Sequence, residues 1–452
     1  MKKILIAVVA LGALLTASAY CIGFKVEREI TAQVEQLSTN SPNLACTLKQ
    51  KHRGIFASSY TYGLVFSAPP QAGKDAASSR ISFDVTWRVA HGPIPIAAKA
   101  FNPCLALASA TFSVNPETDS DIREVFDKLP ELLETTIHAR YGFDLGTTTD
   151  ITMPPVDKTL AFADSPPFQL AWQGLTANIK SNSDLSAYTM TVTAPGLSIK
   201  DSEALVSLSG LSGTSEGKLI QGLVWAGDFR YLLKSLTVKP ASPGKPFEVL
   251  DLALALNLKP KGPVLDYALD LSGTGKLAGG SILPARLGLT LHSLDLAALN
   301  DLQALLRNKA RTPESPLLSP EDWQRVAKSL LAHSPWFEVT LSAMEGGEGP
   351  VTAQANVKTD LMKDLPDNLL LAFTELRAGA RIDAPEKSFQ DLACLILNET
   401  GSAMPQAACR AEVTGQLDAY VSRGYLIRNG GKLSAQAQWN GQGVMINGKP
   451  MQ

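Results

Sequence analysis

The sequence is poor in the residues that metal and redox chemistry need. It has five cysteines in 452 residues. No two of them form a C-x-x-C, which excludes a zinc ribbon and a thioredoxin-like thiol site. The five histidines, His52, His91, His138, His292 and His333, are dispersed without metal-ligand spacing. Each reads as a packed or hydrogen-bonded histidine, with His138 and His333 expected near helix C-termini, where the dipole favours a cation. H-E-x-x-H, a phosphate-binding P-loop and G-x-G-x-x-G are all missing. Charge of one sign is missing too: 41 Lys and Arg against 43 Asp and Glu leave a net charge of -2. That balance, with no polybasic run, excludes the basic stripe of a nucleic-acid binder. No metal, cofactor or catalytic residue is expected, and the chain reads as non-enzymatic.

What is present is apolar. Hydrophobic residues make up 45% against 19% charged, the composition of a chain that folds. Lys2 and Lys3 precede an uncharged run from Ile4 to Phe24, 21 residues long. A helix of about 20 residues spans a bilayer core, and the lysines place its start in the cytoplasm. The expectation is a single-pass inner-membrane anchor with the bulk of the chain in the periplasm. Ala17-Ser18-Ala19 also fits a signal-peptide cleavage site, but the apolar run continues beyond it to Phe24.

The length fits two or three structural units. The expected divisions are residues 1–25 as the anchor, 26–143 as strands plus a helix, 144–310 as a long antiparallel β region, and 311–452 as a C-terminal α+β region. Ile81, Phe83, Val85, Trp87 and Val89 alternate with polar residues and mark a half-buried strand. Asn115-Pro116 reads as the start of a helix carrying Ile122 to Ile137, kinked or split into two at Pro130. Asp295 and Ser319-Pro320-Glu321-Asp322 read as helix caps. Another helix is expected after Pro385 and a last one around Gln416 to Ser422, before an Asn429-Gly430 turn. Gly346-Gly347-Glu348-Gly349 reads as a hairpin turn. The fold class is α+β, mainly β: an N-terminal transmembrane helix, then a broad, mostly antiparallel sheet with interspersed amphipathic helices.

Cys21 falls in the anchor. Cys46, Cys104, Cys394 and Cys409 remain for the oxidising side, where an even number favours disulfides. Of three possible pairings the simplest joins Cys394 to Cys409 across a short loop, and Cys46 to Cys104. Free buried thiols are the alternative. Leu250, Leu252, Leu254, Leu256 and Leu258 alternate with polar or small residues, and Leu287, Leu289 and Leu291 repeat the pattern. They predict one broad apolar sheet face. It is either an ordinary core sealed by helices or an apolar groove that holds acyl chains.

Several segments together resemble the YdgA family of bacterial envelope proteins. They are the N-terminal anchor, His52-Arg53-Gly54-Ile55-Phe56, His91-Gly92-Pro93, Leu291 to Asp295, His333 to Pro335, Gly424 to Gly431 and Ile446 to Pro450. That family is similar to the wider AsmA-like group, which implies a curved sheet with an apolar inner groove and contact with phospholipid. The resulting expectation is a membrane-anchored periplasmic protein that supports envelope integrity or lipid homeostasis, with the eight leucines as the ligand-binding face. Its partners would be the cytoplasmic membrane, phospholipid or envelope proteins, and not nucleic acid. An assembly module for envelope proteins is the alternative, and a hydrolase using His52 or His91 is a third reading.

Overall fold

The computed structural model describes residues 15–32, 34, 44–67, 80–99, 102–115, 118–162, 165–241, 246–276, 282–310, 319–331, 333–343, 349–359, 376–399, 405–441 and 443–451. The chain is mainly β, and its strands pair antiparallel. It divides into two compact units. The first holds residues 1–201, 211–219 and 303–318; the second holds 202–210, 220–302 and 319–452. The division falls inside the region read as one long β stretch over 144–310.

The first unit opens with helix α1, described over residues 15–32 and at 34. Strands β1 (Leu44–Arg53), β2 (Ala57–Ser67) and β3 (Arg80–His91) follow, then a 3-10 turn at Ile96–Ala98 and β4 (Ala106–Val114). Helix α2 (Ser120–Lys128) and a 3-10 turn at Pro130–Glu134 lead to β5 (Thr136–Tyr141), β6 (Thr147–Met153), β7 (Val156–Phe162), β8 (Ser165–Trp172), β9 (Leu175–Ser181) and β10 (Ala187–Lys200). The ladder runs β1-β2-β3-β4-β5-β6-β9-β10, and the end of β10 turns to β8, which pairs with β7.

The helix expected at Asn115 begins only at Ser120. Asn115 is instead buried, with its amide donating to Ser82 O and its side chain to Asp84. Leu129 and Pro130 end the helix, so Ile137 and His138 lie on strand β5 and not on a helix. A proline ring removes one backbone donor and blocks the preceding turn.

Helix α1 passes Lys25 without a break. Ile22, Val26, Ile30 and Val34 recur every fourth residue and therefore form one stripe. That stripe packs on Tyr60, Tyr62, Val89, Ala108, Ala139 and Tyr141, the apolar face of the sheet. Among the described residues no helix is long and apolar enough to cross a membrane. Residues 4–14 of the expected anchor lie outside the described residues.

Strand β11 (Ala204–Gln221) is shared between the units. The second unit continues with β12 (Val224–Pro240), β13 (Phe247–Lys261), β14 (Val264–Lys276), β15 (Ile282–Asp295), α3 (Leu296–Ala310), α4 (Pro320–Leu331), β16 (Trp336–Ala343), β17 (Val351–Thr359) and β18 (Leu376–Pro385). Then come α5 (Glu386–Glu399), α6 (Gln406–Ser422), β19 (Ile427–Asn429), β20 (Lys432–Trp439), β21 (Val444–Ile446) and β22 (Lys449–Pro450). Each strand from β12 to β18 pairs with the next, β18 pairs with β20, and β20 with β19 and β21. The Asp295 carboxylate accepts from the Ala298 amide at 2.7 Å, and the Ser319 hydroxyl accepts from the Asp322 amide at 3.1 Å. Both expected caps are in place. The last helix is longer than expected and starts at Gln406. The glycine-rich turn at 346–348 lies outside the described residues.

Cys394 and Cys409 form a disulfide between α5 and α6, with Cα atoms 5.8 Å apart. It lies in a small core with Val413, Leu417 and Leu433. Cys46 and Cys104 are free, against the expected pairing. Cys46 is in register with Leu64, Phe83 and Val114, at one end of β4, whereas Cys104 precedes the other end. Eight strand residues cover about 27 Å, and a disulfide needs Cα atoms within about 7 Å.

Candidate functional site

The leucines read as a ligand face lie in the second unit. Strand alternation and register bring seven of them onto shared apolar rows. Phe229, Leu256, Leu269, Leu289, Val339, Ala355, Ala380, Ala437 and Ile446 pair in succession from β12 to β21. Beside them run Tyr231, Leu254, Leu271, Leu287, Leu341, Ala353, Ile382 and Ala435. Leu258, Tyr267, Leu291, Phe337 and Val357 form a further row, and Leu252 faces Leu233. Residues of the intervening parity, such as Asp228, Asn257, Thr290, Glu338 and Asn356, carry the polar face. Leu250 does not join the apolar rows. A bulge at Asp251, whose φ is 48°, shifts the register, and Leu250 pairs with Ser235 and Thr274.

None of the eight leucines is fully buried. Leu258 packs at the edge of a closed core formed by Val224, Ala226, Leu265 and Leu296. Further into the sheet the face is more open: Leu254 is 37% and Leu341 46% exposed. Exposed apolar side chains scattered singly are ordinary; Leu254 and Leu341 lie in one apolar row, with Leu271 and Leu287 between them.

The first unit handles its apolar face differently. Arg53, on β1, reaches helix α1 by three contacts. Its guanidinium lies 3.1 Å from the Phe24 ring centre, Nη2 donates to Tyr20 O at 3.2 Å, and Nη1 is 3.4 Å from the Glu27 carboxylate. Glu27 also takes Lys51. His91 is almost fully buried beneath Gly23. A Cβ on Gly23 would sit 2.5 Å from the imidazole, so only glycine lets helix and sheet meet there. The ring is held at both nitrogens: Nδ1 donates to Ile55 O at 2.9 Å, and Nε2 lies 3.0 Å from the Ser58 hydroxyl. Burial pushes the His91 pKa below the usual histidine range. Gly92 follows, and a Cβ there would overlap Cys104 O at 1.8 Å. The segments His52 to Phe56 and His91 to Pro93, distant in sequence, therefore build one seam against the leading helix. A family model for bacterial proteins of unknown function matches residues 1–452.

The chain belongs to this family, DUF945. No curated protein and no solved structure matches it.

In this DUF945 chain the remaining motif residues also converge. The His292 ring stacks on Trp336 at 3.9 Å, and its Nδ1 is 3.4 Å from Asp266. Ser293 adopts a φ of 59° and donates its amide to the same carboxylate at 3.0 Å. Burial works against ionisation of Asp266, but Lys261, the Ser293 amide and His292 outweigh it and hold the pKa below the usual carboxylate range. His333 lies 3.0 Å from Asp295, the cap of α3. These contacts tie β14, β15 and β16 to the two helices between them.

Sequence spacing alone is a poor guide to a nucleophile in this DUF945 chain. Gly213-Thr214-Ser215-Glu216-Gly217 has the G-x-S-x-G spacing, but it lies inside strand β11 and not at a strand-to-helix turn. The Ser215 side chain is buried. Ser58 and His91 are the hydroxyl and imidazole that meet at hydrogen-bond distance, and both are buried in the seam. Among the described residues no cluster of three His, Cys, Asp or Glu could hold a metal ion.

Proposed function

We propose that this protein is a non-enzymatic, inner-membrane-anchored periplasmic protein that shields acyl chains on the apolar face of its second unit, in support of envelope lipid homeostasis. The observation that carries the reading is the set of paired apolar rows from β12 to β18 whose central side chains, Leu254 and Leu341 among them, stay partly exposed. Apart from Tyr231 and Tyr267 the rows offer hydrocarbon contact, which suits an aliphatic chain more than a ligand that needs polar anchors. The Cys394–Cys409 disulfide supports an oxidising compartment. The uncharged run from Ile4 to Phe24 behind two lysines supports the anchor and its direction. The resemblance to YdgA proteins and, more distantly, to AsmA-like proteins points the same way.

Photocrosslinking in living cells tests this reading. Leu341 and Thr340 are neighbours on β16 with opposite parity, so a photoreactive residue at each samples opposite faces. Phospholipid adducts at 341 and 254 but not at 340 are expected. Protein adducts alone at 341 and 254 would favour the assembly-module reading, and no adduct at either would sink both.

A further inference from the structure

The sheet of the first unit has a second face, turned away from helix α1, and it is polar. Register aligns His52, Ser59, Arg88, Ser109, His138 and Asp150 in one direct row from β1 to β6. Arg140, paired with Leu107 and Thr148, sits in the adjacent row. These residues line a cleft of about 880 Å³. The turn at Ile96–Ala98 supplies Ala97 and Ala98 to its wall. The His91-Gly92-Pro93 segment places that turn: Gly92 donates to Leu105 O at 2.7 Å, and Cys104 donates to Pro93 O at 3.1 Å. Alternation along β1 thus sends Arg53 to the helix seam and His52 to the cleft.

The electrostatics of the cleft are unbalanced. Elsewhere in the chain several arginines meet carboxylates: Arg53 with Glu27, Arg286 with Asp270, Arg381 with Asp383, Arg410 with Asp391 and Arg428 with Asp418. Arg88 has no ion-pair partner among the described residues. Arg140 donates to the Pro103 carbonyl, not to an acid. Asp150 is the sole acidic residue lining the cleft among the described residues, and it accepts from Asn178 at 2.7 Å. Two guanidinium groups therefore line a cavity of ligand size, and neither is ion-paired to a carboxylate among the described residues. A guanidinium fork matches phosphate oxygens in geometry and charge. The hydroxyls of Ser59, Ser109 and Thr148 line the same space. No Phe, Tyr or Trp side chain among the described residues lines it.

We propose that this cleft binds a phosphorylated polyol, with Arg88 and Arg140 on the phosphate and the Ser and Thr hydroxyls on the polyol body. The site stands apart from the acyl-chain reading, because it lies in the other unit and uses different chemistry. The ligand could reach it as a free phosphomonoester or as the phosphodiester headgroup of a lipid, and two soluble probes separate these sources.

Calorimetric titration of the full-length protein in nanodiscs with glycerol 3-phosphate and with glycerophosphoglycerol tests the proposal. Saturable binding of either is expected, weakened about tenfold or more by Arg88→Gln and by Arg140→Gln, as loss of a charged hydrogen-bond donor predicts. Preference for the monoester identifies a free solute, and preference for the diester identifies a lipid headgroup. Arg88→Lys, which keeps the charge but loses the fork, should bind at an intermediate level. Arg88 is exposed, so its variants should keep the wild-type melting temperature. Absence of binding by both probes, or binding that both glutamine variants leave unchanged, overturns the proposal.

Discussion

The two units solve the same problem in opposite ways. Each contains an antiparallel sheet with one apolar face. In the first, helix α1 lays Ile22, Val26, Ile30 and Val34 across that face and forms a core with Tyr60, Tyr62 and Val89, leaving an apolar cavity of about 270 Å³ beside Val34 and Leu64. In the second, the apolar rows run over more strands, and buried clusters form near α3 and around α5 and α6, the latter beside an apolar cleft of about 520 Å³. Between those ends Leu254 and Leu341 stay open. Apolar patterning is thus equally strong in both sheets, and burial is what separates them. A leucine in an alternating strand marks a face; whether that face is core or surface depends on what else in the chain covers it.

The comparison can be broken by mutation. The largest effects should come from the features that close each unit. Replacing Cys394 and Cys409 with serine removes a cross-link over a sequence separation of 15 residues. The loss should be about 3 kcal/mol, seen as a lower denaturation midpoint of the second unit with the first unit unchanged. Gly92→Ala should destabilise the first unit by a similar amount, about 3 kcal/mol, because its Cβ meets backbone at Cys104 and not a movable side chain.

A matched pair sharpens the contrast further. Ile30→Ala, in the closed face, should lower stability by about 2–5 kcal/mol. Leu254→Ala, in the open face, should lower it by no more than about 1 kcal/mol, since little area leaves water there. Equal losses in thermal unfolding would mean that the second face is sealed, and the acyl-chain reading would fall. Arg53→Ala should have a smaller effect, about 1 kcal/mol for the lost stacking on Phe24. It should show mainly as faster proteolysis next to α1.

The smallest expected effect is a pH dependence confined to the first unit. His91 is buried neutral, with its folded pKa pushed below the unfolded value. Its contribution is complete above the unfolded pKa of about 6.5 and is lost as pH falls from there towards the folded value. The melting temperature of the first unit should drop between about pH 7 and pH 5, and His91→Gln should flatten that slope. A slope unchanged by the substitution would place the titrating group elsewhere.

Much of the second sheet was legible in the sequence because period two needs only local information. The leucines of β13 and β15, the caps at Asp295 and Ser319, and the short cysteine loop could all be read from neighbours in the chain. The bulge that removes Leu250 from its row could not, because it depends on a left-handed Asp251 that alternation does not register. Nor could the polar row from His52 to Asp150, which requires the register of six strands at once. The pairing of Cys46 with Cys104 failed for the same reason: parity and compartment say nothing about which ends of two strands lie together. The split at Pro130 was legible, but His138 was misplaced because the second helical segment ends at Glu134 and β5 begins at Thr136.

The seam at Gly23 has a mechanical consequence. The helix backbone meets the His91 ring there, and Arg53 on the sheet side adds its stacking on Phe24. Tension drawn along the helix axis would load these contacts in shear, all at once, and not peel them apart one by one. A tilt or twist imposed on the described helix would therefore reach the sheet through these contacts instead of being absorbed in a slack tether.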